Sequence, residues 1–518
     1  MAGFNSPKLG NMRRTLNHEG TTAYNPLNEE QKLYSLCAAN LLENNFYTTK
    51  SDTVQEILDT IPKCDVGFVA GIAVYLRKEM YLRSVPLLLL VGLARIRKLK
   101  ASMVWNVISR ADEIKELLQA YREIEGKSDM TKIPMALKKG VAQAMGKFNA
   151  FHYRKYNKQD KEALTFKDAL RITHPSPETV EQEQTYRAIK EGNLPPIETW
   201  ETVISSVQSK TQGWEYVVNT GKIPYMAALR NIRNILKTGV SDKTVDNLLE
   251  LISNEEQILR SKQFPFRWYS AYDQISKAIT DNSLACYLKP VKTAIEKAIQ
   301  TSIANIPGFD DFRNDKVLVA CDISGSMQQP ISKHSTMHLG QIGLLLGSLM
   351  ATKLPRVVTG YFGDRWKVQD FGSTVLDLPS FSNIEGSVGY ATFAFKVLLW
   401  AINNNIEFDK VMFFSDNQMY NDTHPSRTGG KSQFEKCWKQ YKEMFPNTRL
   451  YLFDLSNYYT TPVDLIGKDI FYISGWTPSI FKVLGDLSSW SKVREYIMTF
   501  NMVDAAYSPR WFRHRHAA

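Results

Sequence analysis

The feature that most constrains the fold of this chain is an apolar run ending in a loop with three evenly spaced oxygen-bearing side chains. Residues 317–321 have the composition of a buried strand, and a long apolar helical segment follows the loop. In an extended loop, alternate side chains point the same way, so Asp322, Ser324 and Ser326 are expected to converge. One carboxylate and two hydroxyls are hard oxygen donors that suit Mg²⁺ with waters kept in its shell. The sequence therefore predicts a strand, a Mg²⁺-binding loop and a helix.

Short β-rich segments alternate with helical segments after residue 308, which is typical of a doubly wound α/β sheet. The predicted strands are residues 317–321, 357–362, 411–415, 450–455 and 470–474. Ligand sites in such folds lie beyond the carboxyl ends of the strands. Asp416 follows the third strand and is predicted to join Asp322. A loop at 389–392 offers the hydroxyl of Thr392, with Ser387 as the alternative.

Residues 25–305 have the pattern of successive helices. Segments 68–76 and 85–93 are apolar all round, which favours burial between neighbours in a stacked array, and 225–236 keeps an apolar face at helical spacing. No exact repeat is visible, so a HEAT-like array is an interpretation. The predicted fold class is multidomain, α followed by α/β. The predicted domains are an N-terminal arm (1–24), a helical domain (25–308), an α/β domain (309–502) and a basic tail (503–518).

Cysteine content and hydropathy bear on the compartment. The five cysteines are odd in number and contain no Cys-x-x-Cys pair, which argues against zinc and disulfide frameworks. The longest apolar run, 85–94, is too short to span a bilayer, and residues 1–17 lack the apolar core of a signal peptide. We therefore expect a cytoplasmic protein without a membrane partner.

The net charge of +11 lies mainly in residues 1–310, which attracts nucleic acid phosphates. Within it, a basic aromatic stretch contains Lys138, Lys139, Lys147, His152, Tyr153, Arg154, Lys155, Tyr156 and Lys158. Cations that neutralise phosphates, together with rings that stack on bases, are typical of sites for single-stranded or looped RNA. The alternative is a solvated helix face. The next predicted helix, 166–173, ends at His174 before Pro175, and on this evidence the His174 side chain is predicted to cap that helix.

The Asp-x-Ser-x-Ser loop resembles the metal-ion-dependent adhesion site of von Willebrand factor A domains. Segments 166–175, 223–231 and 264–267, followed in order by this loop and by residues 414–417, resemble the TROVE domain and A domain of the Ro autoantigen family. The resemblance covers about residues 10–500. It implies a monomeric ring of HEAT-like helices closed by the A domain. It also implies that the outer basic surface binds Y-type small RNAs and that the hole admits single-stranded 3′ ends of misfolded RNAs.

Residue by residue, the resemblance places Lys155, Lys158, Lys167, Arg171 and His174 in the Y-RNA-binding segment. The A-domain loop reads Gly-Tyr-Ala-Thr here, where the family has Gly-Gly-Thr. The short stretch between the helices and the A domain suggests a compact bacterial or phage-type member.

The predicted function is RNA binding within a small noncoding-RNA ribonucleoprotein, for RNA quality control or processing, without enzymatic activity. An exoribonuclease or another protein is a further expected partner through the A domain. One alternative is a protein-binding scaffold that uses the A-domain metal site. Another is a metal-dependent hydrolase using Asp322 and Asp416, which would lack an adjacent His or Glu as general base.

Overall fold

A computed structural model gives the structure of much of the chain. It describes residues 13–16, 22–25, 28–39, 52–126, 133–157, 163–263, 265–277, 282–304, 313–330, 337–372, 374–378, 381–419, 432–456, 462–463, 469–474 and 490–500. Two compact units are present: a helical unit (27–197 with 490–518) and a mixed unit (1–26 with 198–489). These units do not coincide with the predicted domains, because the boundary near 308 falls inside the mixed unit. The predicted tail, 503–518, lies outside the described residues.

The helical unit begins with ten α-helices within the described residues. They are α1 (Glu29–Ala39), α2 (Asp52–Thr60), α3 (Val66–Lys78), α4 (Ser84–Arg95), α5 (Ala101–Val107), α6 (Asp112–Ile124), α7 (Met135–Met145), α8 (Ala150–Lys155), α9 (Phe166–Thr173) and α10 (Val180–Glu191). The side chain of Asp65 caps α3 by accepting a 2.9 Å hydrogen bond from the Phe68 N–H. Every residue of the predicted apolar segments, 68–76 in α3 and 85–93 in α4, is buried, which confirms the prediction that these helices lie between neighbours.

The described residues of the mixed unit form an antiparallel strand pair and seven α-helices ahead of its sheet. They are β1 (Arg13–Leu16), β2 (Thr22–Asn25), α11 (Trp200–Ser206), α12 (Lys210–Asn219), α13 (Tyr225–Lys237), α14 (Asp242–Ile252), α15 (Glu255–Ser261), α16 (Pro265–Ser276) and α17 (Leu288–Ala304). A buried hydrogen-bond chain joins three of these helices. Trp268 Nε1 of α16 donates to the Tyr225 hydroxyl of α13 at 2.7 Å, and that hydroxyl donates to the Ile252 carbonyl of α14 at 2.9 Å. Both polar side chains are thereby satisfied inside the helix packing.

In the described residues of the mixed unit, the sheet has six strands. They are β3 (Val317–Asp322), β4 (Val357–Phe362), β5 (Trp366–Val368), β6 (Lys410–Ser415), β7 (Arg449–Asp454) and β8 (Ile470–Ser474). Their order is β5-β4-β3-β6-β7-β8, and all neighbours are parallel except β4 and β5. All five predicted strands are confirmed. The antiparallel β5 was missed because it is only three residues long and mostly exposed.

The strand order reverses between β3 and β6, which are adjacent in the sheet although they lie far apart in the chain. From β3 the chain proceeds to β4 on one side, and from β6 it proceeds to β7 on the other. The loops that follow β3 and β6 therefore diverge and leave a crevice at the carboxyl edge. Asp322 and Asp416 lie at this edge.

Helices cover both faces of the sheet, as in a doubly wound fold. They are α18 (Leu339–Lys353), α19 (Phe381–Ile384), α20 (Phe395–Asn403) and α21 (Gln433–Met444), and short 3₁₀ turns occur at Ile61–Lys63, Asn282–Tyr287, Gly325–Gln328 and Val375–Asp377. Successive strand residues face opposite layers. Phe413 packs edge-on against Phe434 of α21 at 5.1 Å between centroids. Phe414 packs against α18, because a Cβ added at Gly343 of that helix would lie 3.5 Å from the Phe414 Cβ.

The last described helix, α22 (Trp490–Thr499), belongs to the helical unit although it follows the sheet in sequence. Trp490 packs edge-on against Tyr34 and Phe68, with ring centroids 5.9 and 5.8 Å apart. Arg494 forms a 2.6 Å ion pair with Glu30. In the part of the chain that the structure describes, no helix is long and apolar enough to cross a membrane.

Candidate metal centre and basic helical face

The candidate metal centre is built at the carboxyl ends of β3 and β6. Asp322 ends β3 and Ser415 ends the neighbouring β6, so Asp416 emerges at the same edge of the sheet. Asp322 and Asp416 are fully buried, and Ser324 is only 1% exposed. Two carboxyl groups therefore lie out of water at the point where the strand order reverses.

The Asp-x-Ser-x-Ser loop folds onto its own carboxylate. Asp322 Oδ1 accepts a 2.8 Å hydrogen bond from the Ser324 N–H, and the hydroxyl oxygens of Ser324 and Ser326 are 3.3 Å apart. The Ser415 hydroxyl donates to Asp322 Oδ2. The structure thus brings Asp322, Ser324 and Ser326 together, as the spacing predicts, and adds Ser415 to the cluster.

The loop that carries Thr392 is joined to the Asp-x-Ser-x-Ser loop through the backbone. The Gly325 N–H donates to the Tyr390 carbonyl at 2.9 Å. Thr392 is 4% exposed, whereas Ser387 is exposed, so Thr392 is the buried hydroxyl of the two alternatives.

Asp364 fixes the conformation of this second loop. Its Oδ1 accepts a 2.6 Å hydrogen bond from the Ala391 N–H. Gly389 has a φ of +89°, and a Cβ there would lie 2.2 Å from the Asp364 carboxyl carbon. Glycine is required at this position both for its backbone conformation and for the close approach of Asp364.

The electrostatics of the centre favour a cation. The pKa of Asp322 is raised from 3.8 to about 7, first because burial removes water from the carboxylate and second because Asp416 is negatively charged. Hydrogen bonds from Ser415 and Ser324 act in the opposite direction. A positive ion between these groups would remove the cause of the repulsion.

The donor types decide which cation fits. Within the described residues, no cluster of three or more His, Cys, Asp or Glu side chains is placed to hold a metal. The centre instead combines two carboxylates with hydroxyl groups, and an oxygen-only set of this kind suits Mg²⁺ rather than Zn²⁺. The residues present therefore fit the predicted ion.

Two further polar residues at this edge were not singled out in the sequence. The Asn417 N–H donates to Ser415 Oγ at 3.1 Å, and the Gln418 N–H donates to Asp416 Oδ1 at 3.0 Å. Both side chains are buried. The available signal was the polar run Asp416–Gln418 directly after an apolar strand, because polar residues at a buried strand end seldom serve packing alone.

Helix α9 separates buried and basic faces. Thr165 and Asp168 form a capping box at its start, and Phe166, Ala169, Leu170 and Thr173 are buried. Lys167, Arg171 and His174 are exposed at spacings of four and three residues, which places them on one side of the helix.

The end of α9 is capped by the backbone of His174. His174 adopts the left-handed conformation, and its backbone N–H donates to the Leu170 carbonyl at 3.0 Å. The predicted capping by the His174 side chain is corrected, because the backbone makes the cap and the ring remains exposed.

Helix α8 is held against α9 by one aromatic contact. The Tyr153 ring meets Phe166 edge-on at 4.9 Å between centroids, and its hydroxyl donates to the Met145 carbonyl at 2.7 Å. Tyr153 is therefore a buried packing residue and is not presented for base stacking. We define the basic face as the exposed residues Arg154, Lys155, Lys167, Arg171 and His174. Within the described part of the chain, none of these five forms an ion pair.

The other predicted RNA contacts lie elsewhere or are not described. The Lys147 ammonium donates to the Trp105 carbonyl and, at 2.7 Å, to the Ile108 carbonyl, and it lies 4.0 Å from the Trp105 ring centroid. Burial and the nearby Lys78 lower the pKa of Lys147 to about 8. The Lys147 ammonium is thus held by backbone carbonyls at the end of α5. Lys138 is half-buried and Lys139 exposed on α7, and Lys158 lies outside the described residues.

One stretch of the chain, which follows the basic face and precedes the sheet in sequence, matches a known domain family. Residues 184–306 match the model of the TROVE domain. This part of the chain is similar to a TROVE domain. The match begins within α10, so it follows the basic face in sequence.

Three similar proteins can be set beside this match. The chain is 38% identical over 94 residues to Telomerase protein component 1 of Mus musculus, covering 18% of this chain and 4% of that protein. It is 23% identical over 235 residues to RNA-binding protein RO60 of Caenorhabditis elegans, covering 41% of this chain and 33% of that protein. The chain therefore spans only a minor part of these relatives. The crystal structure of Deinococcus radiodurans RO (RSR) protein superposes with a TM-score of 0.55 at 14% identity, covering 92% of this chain and 99% of that one. This likeness shows a shared fold.

Proposed function

We propose that this protein binds RNA and is the protein part of a small noncoding-RNA ribonucleoprotein. The observation that carries the proposal is the basic face on α8 and α9, where four Lys and Arg side chains and one His are exposed without ion pairs among the described residues. The TROVE match and the RNA-binding relative from Caenorhabditis elegans support the same class of ligand.

The chemistry of the basic face suits a phosphate backbone. Lys167 and His174 are separated by about 10 Å along α9 at 1.5 Å per residue, which is enough for about three nucleotides at a rise of about 3.4 Å. Lysine supplies a point charge, whereas arginine can grip a phosphate with two N–H groups. The exposed His174 ring can stack on an unpaired base. The face is therefore suited to structured RNA with unstacked nucleotides.

At a finer level, we propose that the basic face binds a Y-type small RNA. In the same proposal, the helices form a ring closed by an A domain, and its hole admits single-stranded 3′ ends of misfolded RNAs for quality control or processing by a nuclease. The fold shared with the Deinococcus radiodurans RO (RSR) protein over 92% of this chain supports this assignment. The role is binding rather than catalysis.

The test measures, by fluorescence anisotropy across a salt series, the binding of a stem-loop RNA with and without a single-stranded 3′ tail. Four phosphate contacts from Lys and Arg predict that log K falls against log salt with a slope of roughly −3 to −4. A preference for the tailed RNA would support the threading proposal. Absence of binding at low salt would reject RNA as the ligand.

A second function is proposed for the candidate metal centre, which is recognition of a protein carboxylate. Tyr390 supports it, because this side chain is 60% exposed while its carbonyl is bonded to Gly325 of the metal-binding loop. Asp322, Ser324, Ser326, Thr392 and Asp416 would hold Mg²⁺, which when bound supplies positive charge for an anionic partner. Asp322→Ala should abolish this contact and leave RNA affinity unchanged. Loss of both activities would contradict a separate site.

A further inference from the structure

Asn417 combines three features that each disfavour the folded chain. Its φ is +57°, in the left-handed region that is costly for a residue other than glycine. Its side chain is fully buried. Among the residues that the structure describes, neither polar atom of its carboxamide, Oδ1 or Nδ2, has a hydrogen-bond partner. Buried amide groups are almost always paired, so a buried amide with both polar atoms unpaired is typical of a group that contacts a ligand.

The position of Asn417 connects this open amide to the metal centre. The Asn417 N–H donates to Ser415 Oγ at 3.1 Å, and that hydroxyl donates to Asp322 Oδ2. Asn417 also directly follows Asp416 in the chain. The Ser415 side chain therefore links the backbone of Asn417 to the Asp322 carboxylate of the metal centre.

A comparison within the same unit shows that the burial is unusual. Asn405 also has a positive φ, of +50°, at the end of α20, but it is exposed. Bulk water can satisfy the exposed Asn405 amide, whereas the Asn417 amide is buried away from bulk solvent. If the backbone conformation were the only requirement at position 417, glycine would meet it without an open amide. Asparagine at this position thus retains a donor and an acceptor at a cost to folding, which is typical of a functional group.

We propose that the Asn417 carboxamide is a further ligand-contacting group of the metal centre and hydrogen-bonds to the water shell of the bound divalent cation. This inference rests on the proposed Mg²⁺ centre. Mg²⁺ keeps several of its waters when bound by one or two carboxylates, and a carboxamide can both accept from and donate to such waters. The role differs from that of Asp322 and Asp416, which supply negative charge.

The experiment uses the full-length protein, stripped of metal, and three variants. Asn417→Gly removes the amide and tolerates the backbone conformation. Asn405→Gly makes the same change at the exposed site and is the matched control. Asp322→Ala tests the centre itself. Binding of MgCl₂ and MnCl₂ is measured by titration calorimetry, and the melting temperature is measured in EDTA.

We expect opposite effects of Asn417→Gly on the two measurements. The affinity for Mg²⁺ and Mn²⁺ should fall by about 10-fold, within the range for groups that orient a metal's shell. The melting temperature in EDTA should be higher than that of Asn405→Gly, because the buried open amide is gone. Asn405→Gly should bind both ions like the unaltered protein.

Three results would overturn the inference and can be told apart. If the unaltered protein binds Mg²⁺, Asp322→Ala does not, and Asn417→Gly binds normally, the centre stands and the role of Asn417 is wrong. If the unaltered protein binds neither ion, the proposed centre and the inference fail together. An Asn417→Gly protein that melts at a lower temperature in EDTA, or fails to fold, would show that Asn417 serves the fold alone.

Discussion

The Ser415 hydroxyl donates a hydrogen bond to Oδ2 of Asp322, a residue 93 positions earlier in the chain. The other carboxylate oxygen, Oδ1, accepts from the Ser324 N–H at 2.8 Å. The two oxygens of Asp322 are therefore each held by one donor, and each retains a lone pair for a ligand. The ends of two neighbouring strands thus orient the carboxylate before any ion binds, which lowers the ordering cost of binding.

The raised pKa of Asp322 predicts a pH-dependent stability of the metal-free protein. Between its ordinary value of 3.8 and about 7, the folded protein keeps a proton on this carboxyl that the unfolded chain has released. The free energy of unfolding should therefore fall as pH rises through this window, by at most about 1.4 kcal/mol per pH unit, and level off above it. Urea unfolding in EDTA at pH 4, 5, 6, 7 and 8 measures this trend.

Asp322→Asn should remove this contribution, because the amide does not titrate. Asp370→Asn, at an exposed carboxylate, is the matched control and should keep the pH dependence of the unaltered protein. Equal pH trends in both variants would show that Asp322 does not titrate in this range.

The buried position of Thr392 predicts that it contributes to Mg²⁺ binding and that Ser387 does not. Thr392→Ala should weaken Mg²⁺ binding by roughly 10-fold, in line with the loss of one group of a metal shell. Ser387→Ala removes a hydroxyl from an exposed residue of the same loop and should leave the affinity unchanged. Titration calorimetry with MgCl₂ checks both. The reverse ranking would make Ser387 the contributing residue.

The basic face predicts a specific change in the salt dependence of RNA binding. Lys167→Ala combined with Arg171→Ala should flatten the slope of log K against log salt by roughly 1 to 2 units. The control combines Lys367→Ala with Lys436→Ala, which removes the same charge from exposed positions of the mixed unit. Anisotropy with a labelled stem-loop RNA measures both slopes. Equal slopes would remove α9 from the contact surface.

Close packing of α18 on the sheet predicts that Gly347 cannot be enlarged without loss of stability. A Cβ at this position would lie 2.7 Å from Cys321 Sγ and 2.9 Å from the Phe371 ring. Gly347→Ala should destabilise the mixed unit by about 1–3 kcal/mol, as expected for overpacking of a core. Gly239→Ala provides a contrast, because its Cβ would meet no described atom within 4 Å and only its φ of +70° is strained. Thermal unfolding that leaves Gly347→Ala unchanged would contradict this packing.

The sheet and the centre of the site were largely predictable because each depends on local patterns. Strands made of apolar runs, such as β3 and β6, can be recognised in the sequence. The reversal of strand order then places the residues that follow them together. The three-residue edge strand β5 has too little pattern to detect.

Other features depend on partners far away in the chain. The burial of Tyr153 arises from Phe166 and the Met145 carbonyl, and the position of the Lys147 ammonium is set by carbonyls of another helix. A charge count cannot distinguish Lys147 from the exposed Lys167. The open amide of Asn417 likewise becomes visible only when its surroundings are known.

The position of α22 has a consequence for how the chain folds during synthesis. This helix supplies Trp490 to the aromatic cluster with Tyr34 and Phe68, and a Cβ at Gly71 of α3 would lie 2.4 Å from the Ile497 carbonyl oxygen. Residues 27–197 therefore leave the ribosome long before the helix that completes their core, and the whole segment 198–489 is made in between. The apolar surface of α3 stays open for that interval. Nascent chains released before residue 490 should consequently depend on chaperones that bind exposed apolar helices.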